Sequence, residues 1–480
     1  MIPVSTTIPK AFVGVVLLLL TVAFLAGHAP AVRAQEYSAG DEAELIQAIN
    51  GVNVAGPGEH TINLTADITL AAPLPALTND QADLLTLNGA GHTLDGNLTG
   101  TVIVIGPGAR VDIINLAITG GAGSSGVEVL AGSGGGIYNN GFLSITDSII
   151  TGNAATNGGG IANSGNEGVN ATLSLLRTTV TNNEASSTGG GIHSLGNYGS
   201  ATLMIEDSNI SDNHAESYGG GIAAGGFGGT AETNILNATL AGNTAEYGGG
   251  VFNQGNGGDV LLSVEASTLS GNSAVASGGA IFIGGNLGIA TLLMTNSTIS
   301  GNTALLGGGL GIANSEETGE ATAAITFSTF ADNAAKTGGS VYVTTKSHLT
   351  LAATILTAGS EGKTCAAVNN GEIESAGYNL DSDGSCLLTQ MTDTPDGAAL
   401  LGPLALNTPG TTATHAIYPD SEAIDRVPTN EAGCGASIIA DQRGIARPQP
   451  GDGLCDIGAF ERGPGDASGY RLYQPVVIGQ

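Results

Sequence analysis

Short runs of alternating apolar and polar residues fill the middle of this chain and recur about every 30 residues. Runs such as Thr172 to Leu176 and Thr202 to Ile205 are too short for helices, and Gly, Asn and Ser separate them. Successive side chains of a β-strand point to opposite faces, so each run is predicted to be a short strand with one buried face. A unit of this size cannot bury that face alone, whereas stacked copies can.

Columns of equivalent residues define the repeat. An Asn recurs at intervals of 29 to 31 residues; the residues three and eight positions before it are always apolar, and the residue five before is always small. The seven members of this column are Asn153, Asn183, Asn213, Asn243, Asn272, Asn302 and Asn333. A Gly-Gly-Gly triplet, slightly varied and followed by an aliphatic residue, recurs with the same period, as expected where a chain bends with positive φ.

This pattern predicts an all-β chain that forms a right-handed parallel β-helix over residues 60–375. Strands of successive copies would pair at a spacing of about 4.8 Å. The stacked Asn side chains would hydrogen-bond to one another and satisfy turn groups that are otherwise buried without partners. A β-propeller is the main alternative, but its repeats are about 40 residues or longer.

The N-terminal region is predicted to contain a targeting segment and a cap. Residues 1–34 have a positive residue, an apolar run from Ala11 to Ala26 and small residues after it, as in a cleavable signal peptide. A membrane anchor is the alternative, although the run is shorter than the roughly 20 residues that a span needs. Within residues 35–59, a helix from Asp41 to Asn50 would cover the first coil of the solenoid.

All four cysteines lie in the last quarter of the chain. Cys365 and Cys386 are 21 residues apart, as are Cys434 and Cys455. An even number of cysteines in an exported chain favours disulfides, and the equal spacings favour these two local pairs. Zinc binding is the alternative, but no C-x-x-C or H-x-x-x-H pair accompanies the cysteines.

Composition narrows the function. The formal net charge is −30, with 12 Lys and Arg against 42 Asp and Glu, which excludes a nucleic-acid partner held through its phosphates and disfavours anionic lipid. Aromatic residues are only 4% of the chain, so the core must be aliphatic. We therefore expect few aromatic platforms of the kind that bind sugars.

Two groups of residues are candidates for chemistry. Six positions before the repeated Asn, the residues Asp147, Arg177 and Asp207 would lie on consecutive coils as an exposed charged ladder. Exposed Asp and Arg groups of this kind can transfer protons along a groove, but the sequence favours a charge ladder that steadies the stack, because a catalytic groove would need several acids and aromatic sugar platforms and the chain has few of either. The other group, Asn379, Asp381 and Asp383, partly copies a calcium loop, although Asp and Gly also form tight turns without a metal.

Several segments resemble known secreted proteins. Gly278 to Ile281 and Phe330 to Asn333 resemble the GGAI and FxxN repeats of polymorphic outer-membrane proteins, which are right-handed β-helices of bacteria. Residues 376–461 are similar to the choice-of-anchor Q domain of secreted bacterial proteins, and residues 462–480 would follow it as a tail. The segments that carry the second resemblance are Gly377 to Cys386, Ala423 to Asp425, Asp441 to Gly444, Arg447 with Pro448, and Cys455 to Glu461. The resemblance implies export and surface attachment, and it carries almost no information on activity.

Two functions remain open from the sequence. The first is a non-catalytic secreted or surface-attached β-helix that binds an extracellular glycan or another surface protein, as an adhesin does. The second is a polysaccharide lyase or glycoside hydrolase built on a parallel β-helix. The sequence favours the first, because it shows no nucleophile with its base, no closed set of metal ligands and no paired acids, and it predicts no cofactor.

Overall fold

The structure, a computed structural model, describes residues 34–123, 133–314, 318–450 and 453–463. It confirms an all-β, right-handed parallel β-helix. Each full coil runs through four sheets, which we number 1 to 4 in the order in which a full coil passes through them. Within the described residues, sheets 1 and 2 contain 13 strands each, sheet 3 contains 7 and sheet 4 contains 10. The stack is therefore on the order of 60 Å long at about 4.8 Å per coil.

The strand bounds follow the coils. Sheet 1 consists of Gln35–Ala39, Glu59–Leu64, Leu84–Asn88, Arg110–Ile114, Phe142–Thr146, Asn170–Leu176, Ser200–Glu206, Thr230–Leu236, Val260–Glu265, Ile289–Thr295, Glu320–Thr326, Ser347–Ala352 and Glu372–Ser375. Sheet 2 consists of Ile68–Thr69, Thr93–Asp95, Ala117–Thr119, Ile149–Thr151, Thr179–Thr181, Asn209–Ser211, Thr239–Ala241, Thr268–Ser270, Thr298–Ser300, Thr329–Ala331, Ile355–Leu356, Leu380–Asp381 and Thr394–Pro395. Sheet 3 consists of Ala154–Asn157, Glu184–Thr188, His214–Ala215, Thr244–Tyr247, Ser273–Ser277, Thr303–Leu306 and Ala334–Thr337. Sheet 4 consists of Ile103–Ile105, Ile137–Asn139, Ile161–Asn166, Ile192–Asn197, Ile222–Phe227, Val251–Asn256, Ile281–Asn286, Leu310–Ile312, Val341–Thr344 and Cys365–Val368.

The apolar columns form the core inside the coils. Ile150, Val180 and Ile210 are direct neighbours in the parallel register of sheet 2, and all three are fully buried. The prediction that they share one face is therefore confirmed. Burial of one aliphatic side chain contributes roughly 1.5–3 kcal/mol, and a slip of one residue would expose a whole column, so the hydrophobic pattern holds the register.

The repeated Asn residues form a continuous ladder between sheets 2 and 3. Each side-chain amide donates to the next Oδ1 along the stack, as in Asn183 to Asn213 and Asn213 to Asn243, both at 3.0 Å. The same Oδ1 atoms also accept backbone N–H groups, including that of Asn183 at 3.1 Å. The ladder thus satisfies polar groups that face the core at this corner.

The Gly triplets make the corner between sheets 3 and 4. Gly189, the first of one triplet, has φ +67°, a conformation that side chains disfavour. A Cβ on its neighbour Gly190 would lie 2.4 Å from the carbonyl oxygens of Gly220 and His214. Glycine is therefore required here both by backbone conformation and by the close approach of the next coil.

Helix α1 (Glu42–Asn53) covers the first coil of the solenoid. Asp41 caps it by accepting the Glu44 N–H at 2.9 Å, while the Glu44 carboxylate accepts the N–H of Gly40 at 2.8 Å. The buried residues of α1, including Leu45 and Val52, join the core of the solenoid. The helix begins one residue later and ends three residues later than the sequence predicts.

Residues beyond the last coil lie along sheet 2 instead of continuing the stack. They contain two antiparallel pairs, Leu401–Ala405 with Thr414–Ile417 and Val427–Pro428 with Leu454–Cys455. Thr298, which points outward from sheet 2, donates to Oε1 of Gln442 at 2.6 Å and is fully buried. This C-terminal region therefore covers the outer face of the later coils.

The two predicted disulfides are confirmed. Cys365 pairs with Cys386 and Cys434 pairs with Cys455, so the described residues contain no free cysteine. The first bond ties the last strand of sheet 4 to the turn that follows the sheet 2 strand Leu380–Asp381, and the second lies inside the C-terminal region. No described helix is long and apolar enough to cross a membrane, and the predicted signal peptide lies outside the described residues apart from its final position.

Candidate functional site

The charged column lies at the corner between sheets 1 and 2. Arg177 forms a two-pronged ion pair with Asp147, with Nε and Nη2 at 2.7 and 2.9 Å from the two carboxylate oxygens. This contact holds the pKa of Asp147 below its ordinary value. Asp207 accepts a hydrogen bond from Asn237 instead of pairing with Arg177. The expected three-residue ladder is thus one ion pair followed by a separate hydrogen bond.

Backbone geometry explains this column better than chemistry does. Asp147, Arg177 and Asp207 have φ between 47° and 50°, and so does Phe327 in a later coil. Each coil turns this corner through one residue in the left-handed conformation, which Asp and Asn tolerate better than most side chains. A groove of about 470 Å³ lies beside Arg177. Asp207 is the one carboxylate among its described lining residues, whereas glycoside hydrolysis needs a pair.

We expect Arg177→Ala to change thermal stability very little. The ion pair with Asp147 is solvent-exposed, and exposed pairs contribute weakly to folding. Differential scanning calorimetry of this variant and of Asp147→Ala measures the effect. A fall in the thermal midpoint of several degrees would show that the pair is a structural clamp. Loss of a polysaccharide-cleaving activity present in the wild type would show that Arg177 is catalytic.

The three residues that partly copy a calcium loop use their side chains in turns. Asn379 accepts the N–H of Thr354 at 3.0 Å, and Asp381 accepts that of Cys386 at 2.8 Å. Asp383 accepts the N–H and hydroxyl of Ser385. Burial raises the pKa of Asp381 to about 6. The described residues contain no cluster of three His, Cys, Asp or Glu placed to hold a metal.

The feature that the sequence prediction missed is an aromatic surface on sheet 4 and on the two corners that join it to sheets 3 and 1. We define it by Tyr198, Tyr218, Phe227, Tyr247, Phe252 and Phe282. Phe252 and Phe282 follow the aliphatic residue after a Gly triplet, while Tyr218 and Tyr247 directly precede a triplet. Both positions occur in every repeat, one directly before the triplet and one two residues after it, so the residues at each position could have been compared from coil to coil. The low aromatic content of the whole chain concealed their concentration at one place.

The rings of the aromatic surface contact one another across coils. Phe252 and Phe282 stack with centroids 5.3 Å apart and planes within 5°, and Tyr218 packs on Phe252 at 4.6 Å. Tyr198 and Phe227 meet edge to face at 5.7 Å. Tyr218, Phe227 and Tyr198 remain 39%, 45% and 62% exposed. Offset and edge-to-face contacts stabilise such a cluster, yet three of its rings still face solvent.

A depression of about 150 Å³ separates the pair Tyr198 and Phe227 from the rings of Tyr218 and Phe252. In the parallel register, Ala223 lies between His193 and Phe252 on neighbouring strands of sheet 4. Gly225 lies in the same way between Leu195 and Gln254. One coil thus presents only small residues between two coils with large ones. Strands two coils apart are about 10 Å apart, so the gap has the width of a single ring-shaped ligand.

His193 forms one wall of the depression. Its Nδ1 atom is buried and has no hydrogen-bond partner within the described residues. Burial lowers the pKa of His193 to about 4, so the imidazole is neutral at pH 7. No hydrogen bond among the described residues engages the Gln254 side-chain amide opposite. Two polar side chains, those of His193 and Gln254, therefore line the depression, and Nδ1 of His193 has no partner among the described residues.

We expect acid to destabilise the protein through His193. The folded-state pKa of about 4 lies below the unfolded value of about 6.5, so the unfolded state binds the proton first as the pH falls. Above pH 6.5, His193 is neutral in both states and does not affect the free energy of unfolding. As the pH falls towards 4, the free energy of unfolding decreases by at most about 3 kcal/mol. Urea unfolding across this range should show a smaller pH dependence in His193→Gln than in wild type. The matched control is His214→Gln, an exposed His of the next coil; an equal change in both variants would contradict the prediction.

Tyr198 stands at the tip of the turn between sheets 4 and 1. Its φ is +55°, an uncommon conformation for a bulky aromatic residue. Its ring lies against Gly228, where a Cβ would be only 2.5 Å from Cε1. Glu167 and Leu287 have φ of +43° and +62° at the equivalent turns of other coils, so the backbone conformation belongs to the repeat, and the exposure of its aromatic ring is what distinguishes Tyr198.

Comparison with known proteins does not identify the chain. No family model matches it, and no curated protein matches it. Among solved structures, the chain is similar to the crystal structure of pectate lyase Pel9A, with 10% sequence identity and a TM-score of 0.43. The match covers 90% of this chain and 97% of the other. At this level of similarity, the pectate lyase says nothing about the activity of this protein.

Proposed function

We propose that this chain is a non-catalytic extracellular β-helix that binds a glycan through the aromatic surface. The observation that carries the proposal is a group of three exposed rings: Tyr218 and Phe227 line the unfilled depression, and Tyr198 packs edge to face on Phe227. Sugar rings present apolar C–H faces that pack on aromatic rings, while their hydroxyl groups hydrogen-bond at the edges. The aromatic surface supplies both kinds of contact.

The length of sheet 4 suits a polymer better than a small molecule. A second depression of about 650 Å³ lies on the same side, near Tyr138. Tyr138 and His193 belong to one outward column and are two coils apart, with Ala162 between them in the register. A chain of sugars that runs along the solenoid axis would pass over both depressions.

An extracellular location fits the covalent structure. Both disulfides are of the kind that persists in an oxidising compartment, and they support the signal peptide interpretation of residues 1–34. We retain the anchor-like assignment of residues 376–461 as part of the proposal. In the structure, its motif residues bind one another, as Arg447 and Glu461 do at 3.3 Å.

Affinity electrophoresis of the purified, oxidised chain in gels that contain polysaccharides tests the proposal. Xyloglucan, galactomannan and arabinoxylan are the neutral probes, and polygalacturonate and alginate are the acidic ones. We expect at least one neutral polysaccharide to retard the protein. We also expect the double variant Tyr198→Ala, Tyr218→Ala to lower its affinity about tenfold or more, which corresponds to at least 1.4 kcal/mol.

Two controls make the result decisive. Tyr342→Ala removes a half-buried ring from the same sheet, four coils beyond the depression, and should bind as wild type does. Assays of reducing ends and of unsaturated products, run in parallel, should detect no cleavage. Cleavage by the wild type would favour the polysaccharide-degrading alternative. Absence of any retardation would favour a surface protein as the partner.

A further inference from the structure

We infer that the depression beside His193 is a subsite for one uncharged sugar ring of the bound glycan. This inference rests on the proposed function and specifies the chemical class of its ligand. It depends on three properties of the site: a shape set by the small residues of one coil, two polar side chains in its walls, and a lining without formal charge.

The shape follows from the sequence of one coil. Ala223 and Gly225 form the floor, and the larger residues of the preceding and following coils form the walls. Phe252 and Phe227 provide apolar wall surface. The volume of about 150 Å³ is smaller than the roughly 300–1,000 Å³ of sites for drug-sized ligands, so the depression accommodates one ring of a longer chain.

The polar groups suit hydroxyl groups. His193 Nδ1 is buried without a partner, and the neutral imidazole has one nitrogen that donates and one that accepts. The Gln254 amide on the opposite wall both donates and accepts. A sugar hydroxyl does the same, so one ring can satisfy both side chains. His193 Nδ1 has less than 1 Å² of accessible surface, so a sugar hydroxyl relieves its missing hydrogen bond only after the imidazole rotates towards the depression, whereas the Gln254 amide needs no such movement.

The charge of the site excludes acidic sugars. No Arg, Lys, Asp or Glu lines the depression, and the low pKa of His193 keeps the imidazole uncharged at pH 7. A uronate carboxylate would lose its hydration there without gaining a cation. The net charge of −30 also repels polyanionic chains at longer range. The ligand chemistry that fits is a neutral pyranose.

Isothermal titration calorimetry with defined oligosaccharides tests the inference. The probes are cellohexaose, xylohexaose, mannohexaose and galactohexaose, with hexagalacturonate as the charged comparison, all at pH 7. We expect one neutral hexasaccharide to bind the full chain at least tenfold more tightly than hexagalacturonate. We expect His193→Ala and Gln254→Ala each to weaken that binding about tenfold. Tighter binding of hexagalacturonate overturns the inference.

A variant that fills the depression separates this inference from the proposed function. Ala223→Phe would occupy the gap between His193 and Phe252 and should abolish hexasaccharide binding, while Ala241→Phe, on sheet 2, should not. Thermal unfolding verifies that both variants fold. If Tyr198→Ala weakens binding but Ala223→Phe, His193→Ala and Gln254→Ala do not, the aromatic surface binds glycans and the subsite is refuted. If none of these variants affects a measurable affinity, the proposed function fails as well.

Discussion

Replacing Asn213 by Ala should destabilise the solenoid by about 4 kcal/mol, because a fully connected polar ladder loses a central member. Asn213 Oδ1 accepts both the backbone N–H and the side-chain amide of Asn183, at 3.1 and 3.0 Å. Its own amide donates to Val180 O at 2.9 Å and to Asn243 Oδ1 at 3.0 Å. Alanine would leave the buried Asn183 N–H without its partner and would remove one hydrogen bond each from the Asn183 amide, Val180 O and Asn243 Oδ1, and a buried group that loses its partner costs about 1–3 kcal/mol. Equilibrium urea unfolding measures the loss.

The matched control is Asn170→Ala on the surface. Asn170 is exposed, and its side chain accepts one hydrogen bond from the Ser200 hydroxyl at 2.6 Å. Water can replace that bond, so we expect a change within about 0.5 kcal/mol. Equal stability of the two variants would mean that the Asn ladder adds nothing beyond an ordinary surface contact.

Replacing Arg447 by Ala should cost about 3–5 kcal/mol and loosen the C-terminal region from sheet 2. The guanidinium is fully buried, donates to Asp456 O at 2.8 Å and lies 4.4 Å from the ring centroid of Phe327. Burial raises the pKa of Glu461, and the Arg447 charge opposes that rise and favours the carboxylate. Without Arg447, the carboxylate of Glu461 must either stay charged without a cation or take up a proton.

Limited proteolysis and urea unfolding together report this effect. Arg447→Ala should be cleaved within residues 396–463 at protease concentrations that leave the wild type intact. Arg426→Ala removes an exposed Arg of the same region and serves as the control, with wild-type resistance expected. Wild-type resistance in Arg447→Ala would show that the buried ion pair does not hold the C-terminal region in place.

The solenoid could be predicted from sequence because its determinants repeat. Each of the seven repeats has an apolar residue at the position of Val180 and an Asn at the position of Asn183. A slip of one residue would put a whole column on the wrong face. The corner residues repeat for the same reason. At Arg177 the sequence drew attention to charge, whereas the shared property of the column is a left-handed backbone.

The aromatic surface and the C-terminal region could not be predicted in this way. Aromatic residues occupy only some positions of their columns, because Ala223 and Ser277 stand where a ring would continue the series. Thr298 and Gln442 are 144 residues apart in sequence, and an irregular segment has no period that would indicate its partner. The depression arises from the absence of a side chain at one coil, which only the assembled register reveals.

Hydroxyl-radical footprinting tests the central claim, that the aromatic surface is the glycan-contact surface, most directly. Aromatic and sulfur-containing side chains react readily, and the fully exposed Met391 provides an internal control. With a saturating neutral polysaccharide, the oxidation of Tyr198, Tyr218 and Phe227 should fall several-fold while that of Met391 stays constant. Unchanged oxidation of all three rings, under conditions where the polysaccharide is demonstrably bound, would contradict the account.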